Sequence, residues 1–101
     1  MTGSAPADLA TVRAAAGSAQ DPEIRRSIGD MDLLDEVTMD PEGRVTVRYH
    51  LTSPLCPSPF AVQIGREVRR LVEAVEGVSG CHVVLQDHFI AAEIQDQVNR
   101  P

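Results

Sequence analysis

The residue in this sequence best suited to chemistry is Cys56, which lies in the proline-rich segment 51–59, LTSPLCPSP. The segment separates an alternating stretch, typical of a β-strand, from a long stretch with helical periodicity. Cys56 therefore precedes the first turn of a predicted helix, where unpaired N–H groups and the positive end of the helix dipole favour a thiolate. Pro57 suits the first helical position, since the N–H that it lacks would have no partner there. We predict an exposed thiol held in place by its flanking prolines.

The predicted helices and strands must position this segment. Patterning predicts helices over 7–19, 57–76 and 90–98, a short helical turn over 21–27, and strands over 31–39, 44–52 and 81–87. The sequence Asp40-Pro41-Glu42-Gly43 is a strong turn signal, so the first two strands should form an antiparallel hairpin. The order strand, helix, strand implies a right-handed crossover, which makes the second and third strands parallel. The predicted fold class is α+β: a small three-stranded mixed sheet, made of a β-hairpin and a parallel βαβ crossover, covered by helices.

The core of this fold is predicted from two patterns. On the second strand, four alternating side chains should point inward: Val45, Val47, Tyr49 and Leu51. On the long helix, an apolar stripe recurs at spacings of three and four: Phe60, Ile64, Val68, Leu71, Val72 and Val75.

The predicted topology separates the two cysteines. Cys56 follows the carboxyl end of the second strand, whereas Cys81 begins the third, so the thiols should lie at opposite ends of the sheet, on the order of 20 Å apart. A disulfide requires Cα atoms within about 7 Å, so we predict neither a disulfide nor joint metal binding. Cys81 is interpreted as a small buried apolar residue.

The same topology brings other polar residues towards Cys56. The start of the first strand contributes Asp32, and the end of the third contributes His88, so these groups could form a metal or cluster site with the thiol. The Thr52 hydroxyl could bond a loop N–H or the cysteine sulfur, although a turn role is simpler. Asp21 and Glu23 either cap a helix around Pro22 or act as ligands, and the sequence leaves both open.

Bulk properties narrow the class of protein. With 101 residues, 43% apolar and 24% charged, the chain is expected to form one domain over 7–101 after a disordered lead-in over 1–6. A net charge of −6 argues against nucleic acid or an anionic membrane as a partner. No apolar run reaches the roughly 18 residues of a membrane span, and residues 1–6 do not resemble a secretory signal. Two cysteines in such a chain suggest reduced thiols and a cytoplasmic location.

Three motifs together resemble a known family. Asp21-Pro22-Glu23, the stretch 28–34 (IGDMDLL) and Leu51-Thr52 with Cys56-Pro57 occur in the order and spacing of small iron–sulfur-assembly domains. This family includes SufT-like proteins, PaaD-like proteins and the cytosolic iron–sulfur targeting factor, and the resemblance covers about residues 8–98. Two positions depart from the family pattern: Asp32 stands where glycine is usual, and the segment 87–90 replaces a tryptophan segment.

The resemblance implies an assembly or delivery factor for iron–sulfur clusters, not an enzyme, with client apo-metalloproteins or cluster-assembly components as partners. Clusters normally need four ligands, so one thiolate implies transient binding of an iron–sulfur cluster through Cys56, which two copies could share across a homodimer. The alternative is a cofactor-free adaptor for a multicomponent oxygenase or another metalloenzyme complex. A cysteine-nucleophile enzyme with His88 as base is disfavoured, because so thin a sheet leaves little room for a substrate pocket.

Overall fold

Three helices and three strands make up the fold in the computed structural model, which describes residues 8–21, 25–51, 57–88 and 90–100. In chain order they are α1 Leu9–Gly17, β1 Leu34–Met39, β2 Arg44–His50, α2 Ser58–Glu73, β3 Gly80–Gln86 and α3 Ala91–Val98. The α+β prediction is confirmed, and each predicted long helix and strand is present, with slightly shorter bounds except for β3, which is shifted by one residue. The later start of β1 has a local cause: residues that precede Leu34 form a helical turn instead of extended strand.

The sheet has the order β1-β2-β3, with β2 in the centre. β1 pairs antiparallel with β2, with Val37 opposite Val47, and β3 pairs parallel with β2, with Val83 beside the same Val47. The hairpin and the crossover therefore share β2, as predicted. A β-bulge between Leu34 and Glu36 shifts the register of β1.

The core lies between one face of this sheet and the three helices. The inward side chains predicted on β2, from Val45 to Leu51, are all buried. α2 buries Ala61, Ile64, Val68 and Val72, whereas the predicted stripe residues Phe60, Leu71 and Val75 lie only partly buried at the margin of the core. Gly65 allows α2 to pack closely against α3 and β2. A Cβ at this position would lie 2.5 Å from Cγ2 of Val98 and 2.9 Å from the Tyr49 hydroxyl.

α3 covers the free edge of β3 with side-chain amides. The Val83 N–H donates to Oδ1 of Asn99 at 2.9 Å, and Nδ2 of Asn99 donates back to the Val83 carbonyl at 2.8 Å. The Leu85 N–H donates to Oε1 of Gln95 at 2.7 Å. These bonds take the place of a neighbouring strand, and they leave this edge poorly suited to pairing with another chain.

Candidate functional site

Asp21, the first residue of the Asp-Pro-Glu motif, follows α1, and Pro22 and Glu23 lie outside the described residues. Gln20 and Ser27 form an isolated antiparallel bridge at the base of the loop. Within it the Asp21 N–H donates to the Arg26 carbonyl at 2.9 Å, and the Arg25 N–H donates to the Asp21 carbonyl at 2.8 Å. Arg25 and Arg26 are not helical, so the helical turn predicted over 21–27 is replaced, in its described part, by a closed loop. Pairing across the base competes with helix formation, which local capping signals alone did not reveal.

Asp21 is buried, with 6% of its surface exposed, although it also borders a groove between this loop and α2. The groove has a volume of about 590 Å³, and α2 contributes Gln63 and Glu67 to its wall. A buried carboxylate needs polar partners, and the roles predicted for Asp21 stay predictions. Glu23 lies outside the described residues, so its predicted role stays a prediction.

Asp32 closes a helical turn that leads into β1. The Leu33 N–H donates to the Ile28 carbonyl at 2.9 Å, and the Asp32 N–H donates to the Gly29 carbonyl at 3.2 Å. This pair of bonds is a Schellman motif, whose closing residue adopts a left-handed backbone. Asp32 has a φ of +59° there, and Ile28 and Leu33 are both buried, as the motif's hydrophobic contact requires. The position therefore favours glycine, and aspartate is among the few other residues that tolerate it.

Asp32→Gly is expected to raise the free energy of unfolding by up to about 1 kcal/mol, because glycine adopts a positive φ without steric cost. Urea denaturation followed by circular dichroism measures the change. The matched control is Asp30→Gly in the same turn, where φ is not positive and glycine should destabilise. A loss of stability in Asp32→Gly would show that the carboxylate does more than occupy the turn.

Backbone hydrogen bonds join these two segments to the carboxyl end of β2. The Ile28 N–H donates to the Ala19 carbonyl at 2.8 Å, and the His50 N–H donates to the Leu33 carbonyl at 2.9 Å. The Asp21 loop, the Asp32 turn and the last residue of β2 therefore form one connected framework. The chain leaves this framework through the buried Leu51 and enters α2 at the exposed Pro57. Cys56 and Thr52 lie between them, outside the described residues, so their predicted roles stay predictions.

His88 comes from the other side of the same edge. Gln86 lies beside His50 in the parallel register, so the chain after β3 also emerges next to the end of β2. His88 is buried, and its Nδ1 accepts the Ile90 N–H at 3.2 Å. That bond requires an unprotonated Nδ1, so a neutral ring carries its proton on Nε2. In this tautomer neither ring nitrogen has a free lone pair, so a metal could bind Nε2 only if the proton moved to Nδ1 and the bond from the Ile90 N–H were lost.

The described part of the chain contains no group of three or more His, Cys, Asp or Glu side chains that could hold a metal ion. Asp32 and His88 extend from the outer strands, which lie roughly 10 Å apart across β2. The structure thus brings their segments to one edge of the sheet, as predicted, on either side of the exit from β2. Their role as ligands beside Cys56 stays a prediction.

Backbone strain is concentrated at this edge. Among the described residues, the non-glycine positions with positive φ are Arg25 in the Asp21 loop, Asp32 before β1 and Asp87 after β3. Such conformations cost free energy and tend to occur at functional sites. At Asp32 the Schellman motif accounts for the conformation, so these positions do not by themselves identify a functional site.

Cys81 lies at the opposite end of the sheet, beside Val45 at the start of β2. It is half-buried against the core, so it packs as an apolar residue, although less completely than predicted. Burial is the main cause that raises the pKa of the Cys81 thiol; the nearby Glu73 carboxylate adds to the change and Arg69 partly opposes it, and the net value is about 12. A thiol with so high a pKa is protonated at neutral pH and is a poor ligand.

One ion pair at the edge of the site was not anticipated from the sequence. Nδ1 of His50 lies 2.8 Å from Oδ1 of Asp35 on the uncovered face of the sheet, and both side chains are one-third exposed. The sequence predicts His50 to be a simple surface residue. One feature of the sequence could have indicated the pair: Asp35 interrupts the alternation of apolar residues in the first strand. The β-bulge lies at this position.

The family is shown by comparison with known proteins. A model of the iron–sulfur cluster assembly protein family matches residues 9–84, from the start of α1 into β3. The chain belongs to this family, and the resemblance drawn from the three motifs is confirmed.

Individual relatives refine this assignment. The chain is 36% identical over 86 residues to an iron–sulfur cluster carrier protein of Mycobacterium tuberculosis; the match covers 84% of this chain and 22% of the carrier, so the chain spans about a fifth of its length. It is 42% identical over 65 residues to an Fe-S protein maturation auxiliary factor of Porphyromonas gingivalis, covering 64% of this chain and 60% of that protein. An uncharacterized protein of Methanocaldococcus jannaschii is 31% identical over 78 residues, covering 77% and 80%. Within the described residues, no helix has the length and apolar character needed to cross a membrane.

Proposed function

We propose that this protein assists the assembly or delivery of iron–sulfur clusters by binding iron or a cluster transiently through Cys56. Membership of the family supports a role in cluster assembly. Because the chain has two cysteines, a thiol ligand must be either Cys56 or Cys81. Cys81 is the wrong thiol on two grounds: it lies at the far end of the sheet, and its pKa is about 12. The observation that carries the proposal is this exclusion of Cys81, which leaves Cys56 as the thiol for a cargo.

One thiolate cannot satisfy a cluster, which normally takes four ligands. The missing ligands are provided by a second copy of the chain or by the partner that gives or receives the cluster. The candidates proposed from this chain to complete the coordination are the carboxylates of Asp21, Glu23 and Asp32 and the imidazole of His88, which would have to give up its bond with the Ile90 N–H. The Thr52 hydroxyl could bond the sulfur. Incomplete ligation suits a carrier, because a weakly held cluster leaves readily.

The partners that follow from this role are client apo-metalloproteins and cluster-assembly components, in the cytoplasm. A homodimer with two Cys56 thiols at one interface is the simplest form able to hold a cluster. The name of the Porphyromonas relative, a maturation auxiliary factor, is consistent with action on other proteins.

Anaerobic reconstitution with iron and sulfide tests the proposal. Wild-type protein and the Cys81→Ser variant are expected to bind similar amounts of iron and to show the visible absorption of a cluster, whereas Cys56→Ser should lose most of both. The Cys81→Ser variant is the matched control, since it removes the same chemical group from the opposite end of the sheet. Equal iron in all three proteins would overturn the proposed role of Cys56.

That result would favour the alternative, a cofactor-free adaptor for an oxygenase or another metalloenzyme complex. An adaptor should retain a stable partner in a pull-down after Cys56→Ala. A carrier that shares its cargo through Cys56 should instead lose the cluster-dependent part of that association.

A further inference from the structure

Four of the nine positively charged side chains gather in one groove between α2 and the carboxyl end of α3: Arg66, Arg69, Arg70 and Arg100. We call this surface the arginine groove. It has a volume of about 440 Å³, and Glu73 and Val98 complete its lining. A second groove of about 320 Å³ shares Arg66 and Arg70 and continues towards the start of α2 along Pro59 and Val62.

The four arginines are not equivalent. Arg69 is engaged within the fold: its guanidinium donates to the carbonyls of Val98 at 3.2 Å and Arg100 at 2.6 Å, and lies 3.3 Å from Glu73. These bonds join α2 to the end of α3, where a cation is favoured by the helix dipole. Arg69 is therefore a structural residue of the groove.

The other three arginines are exposed and held weakly. Arg70 pairs with Glu67 and Arg100 pairs with Asp96, each within its own helical segment. Pairs at this spacing contribute only about 0.2–0.5 kcal/mol, so an incoming carboxylate exchanges with them readily. Arg66 is the donor most open to a ligand, since among the described residues it contacts no carboxylate and bonds only the Gln97 carbonyl at a long 3.4 Å.

We propose that the arginine groove docks an acidic segment of a protein partner. The four arginines outnumber the three carboxylates that pair with them, Glu67, Glu73 and Asp96, so the surface keeps a small net positive charge on a chain whose net charge is −6. It therefore attracts carboxylates that the rest of the molecule repels. Guanidinium groups pair with carboxylates in a bidentate geometry, which adds direction to the attraction. A long nucleic acid is disfavoured because its phosphates would also meet the acidic remainder of the chain.

The position of the arginine groove on α2 indicates a role in partner binding, an inference that rests on the proposed function. α2 begins two residues after Cys56, and Arg66 lies roughly 13 Å along the helix from Pro57. Arg69 and Glu73 of the groove also lie near Cys81, so the groove belongs to the half of α2 that is remote from Pro57. The groove would hold a cluster donor or client by a contact separate from the cargo, and only a partner that extends along α2 would reach the start of the helix as well.

Fluorescence anisotropy with a labelled peptide tests the docking surface without iron. The probe is a 12-residue peptide of alternating glutamate and alanine, and its twin has glutamine in place of glutamate. Wild-type protein is expected to bind the acidic peptide at least ten-fold more tightly than the twin at 50 mM salt, with weaker binding at 300 mM. Arg66→Glu should weaken binding at least ten-fold. The matched control is Arg13→Glu, an exposed arginine of α1 outside the groove, which should change binding less than two-fold.

Three results would overturn this proposal: no preference for the acidic peptide, equal losses in Arg66→Glu and Arg13→Glu, or equally tight binding of a 12-residue oligothymidylate. Circular dichroism of each variant separates a lost contact from a lost fold. Cys56→Ser should bind the peptide as the wild type does. The failure of the groove and the failure of the cluster-binding proposal are therefore distinguishable.

Discussion

Asn99→Leu is expected to lower the free energy of unfolding by about 2–4 kcal/mol, because it leaves both the N–H and the carbonyl of Val83 without their partner. Val83 is 1% exposed, so water cannot replace these bonds without opening the edge of the sheet. Asn99 also ends α3 by donating to the Gln95 carbonyl at 2.9 Å, so its loss loosens the helix that covers β3. Urea denaturation followed by circular dichroism provides the measurement.

The control for this prediction is Gln97→Leu, which makes the same change from amide to leucine at an exposed position of α3. It should alter stability by less than about 0.5 kcal/mol, as is usual for surface substitutions. Asn99→Asp should be intermediate, since a carboxylate still accepts the Val83 N–H but cannot donate to the carbonyl. If Asn99→Leu were no more destabilising than Gln97→Leu, the edge bonds would contribute little to folding.

The second large effect is expected in thiol reactivity. In the Cys56→Ser background, folded Cys81 should react with iodoacetamide at pH 8 at least 100-fold more slowly than the same thiol in urea. The pKa rises from 9.0 to about 12, which lowers the thiolate fraction by up to about 10³, and partial exposure moderates the effect. Mass spectrometry of timed, quenched samples gives both rates.

The same shift has a defined effect on the pH dependence of stability. The Cys81 thiol holds its proton to a higher pH in the folded protein than in the unfolded chain. Its contribution to the free energy of unfolding is therefore fully present below about pH 9 and is lost as the pH rises towards 12. Cys81→Ser should therefore remove part of the loss of stability between pH 9 and pH 12. Labelling of folded Cys81 as fast as in urea would contradict the raised pKa and reopen Cys81 as a ligand.

Much of the location of the candidate site follows from the sequence alone. Asp32 and His88 lie near the ends of predicted strands, and the hairpin and crossover rules bring those ends together. The same rules place Cys81 at the opposite end of the sheet from the carboxyl end of β2. The sequence shows only that Asp32 departs from the glycine of the family pattern. The structure shows that aspartate adopts the left-handed conformation that the Schellman motif requires.

What the sequence determined by itself was the architecture: the order of the helices and strands, the direction of each pairing, the inward residues of β2 and the place of Cys81 at the start of β3. These features follow from periodicity, turn chemistry and chain connectivity, which are local or obey general rules of handedness. Only the tertiary structure decided the closed Asp21 loop, the amide bonds that Asn99 makes 16 residues away on Val83, and the convergence of Arg66 and Arg100 on one groove. Each depends on how side chains from distant segments meet after packing, and no pattern within a single segment encodes that geometry.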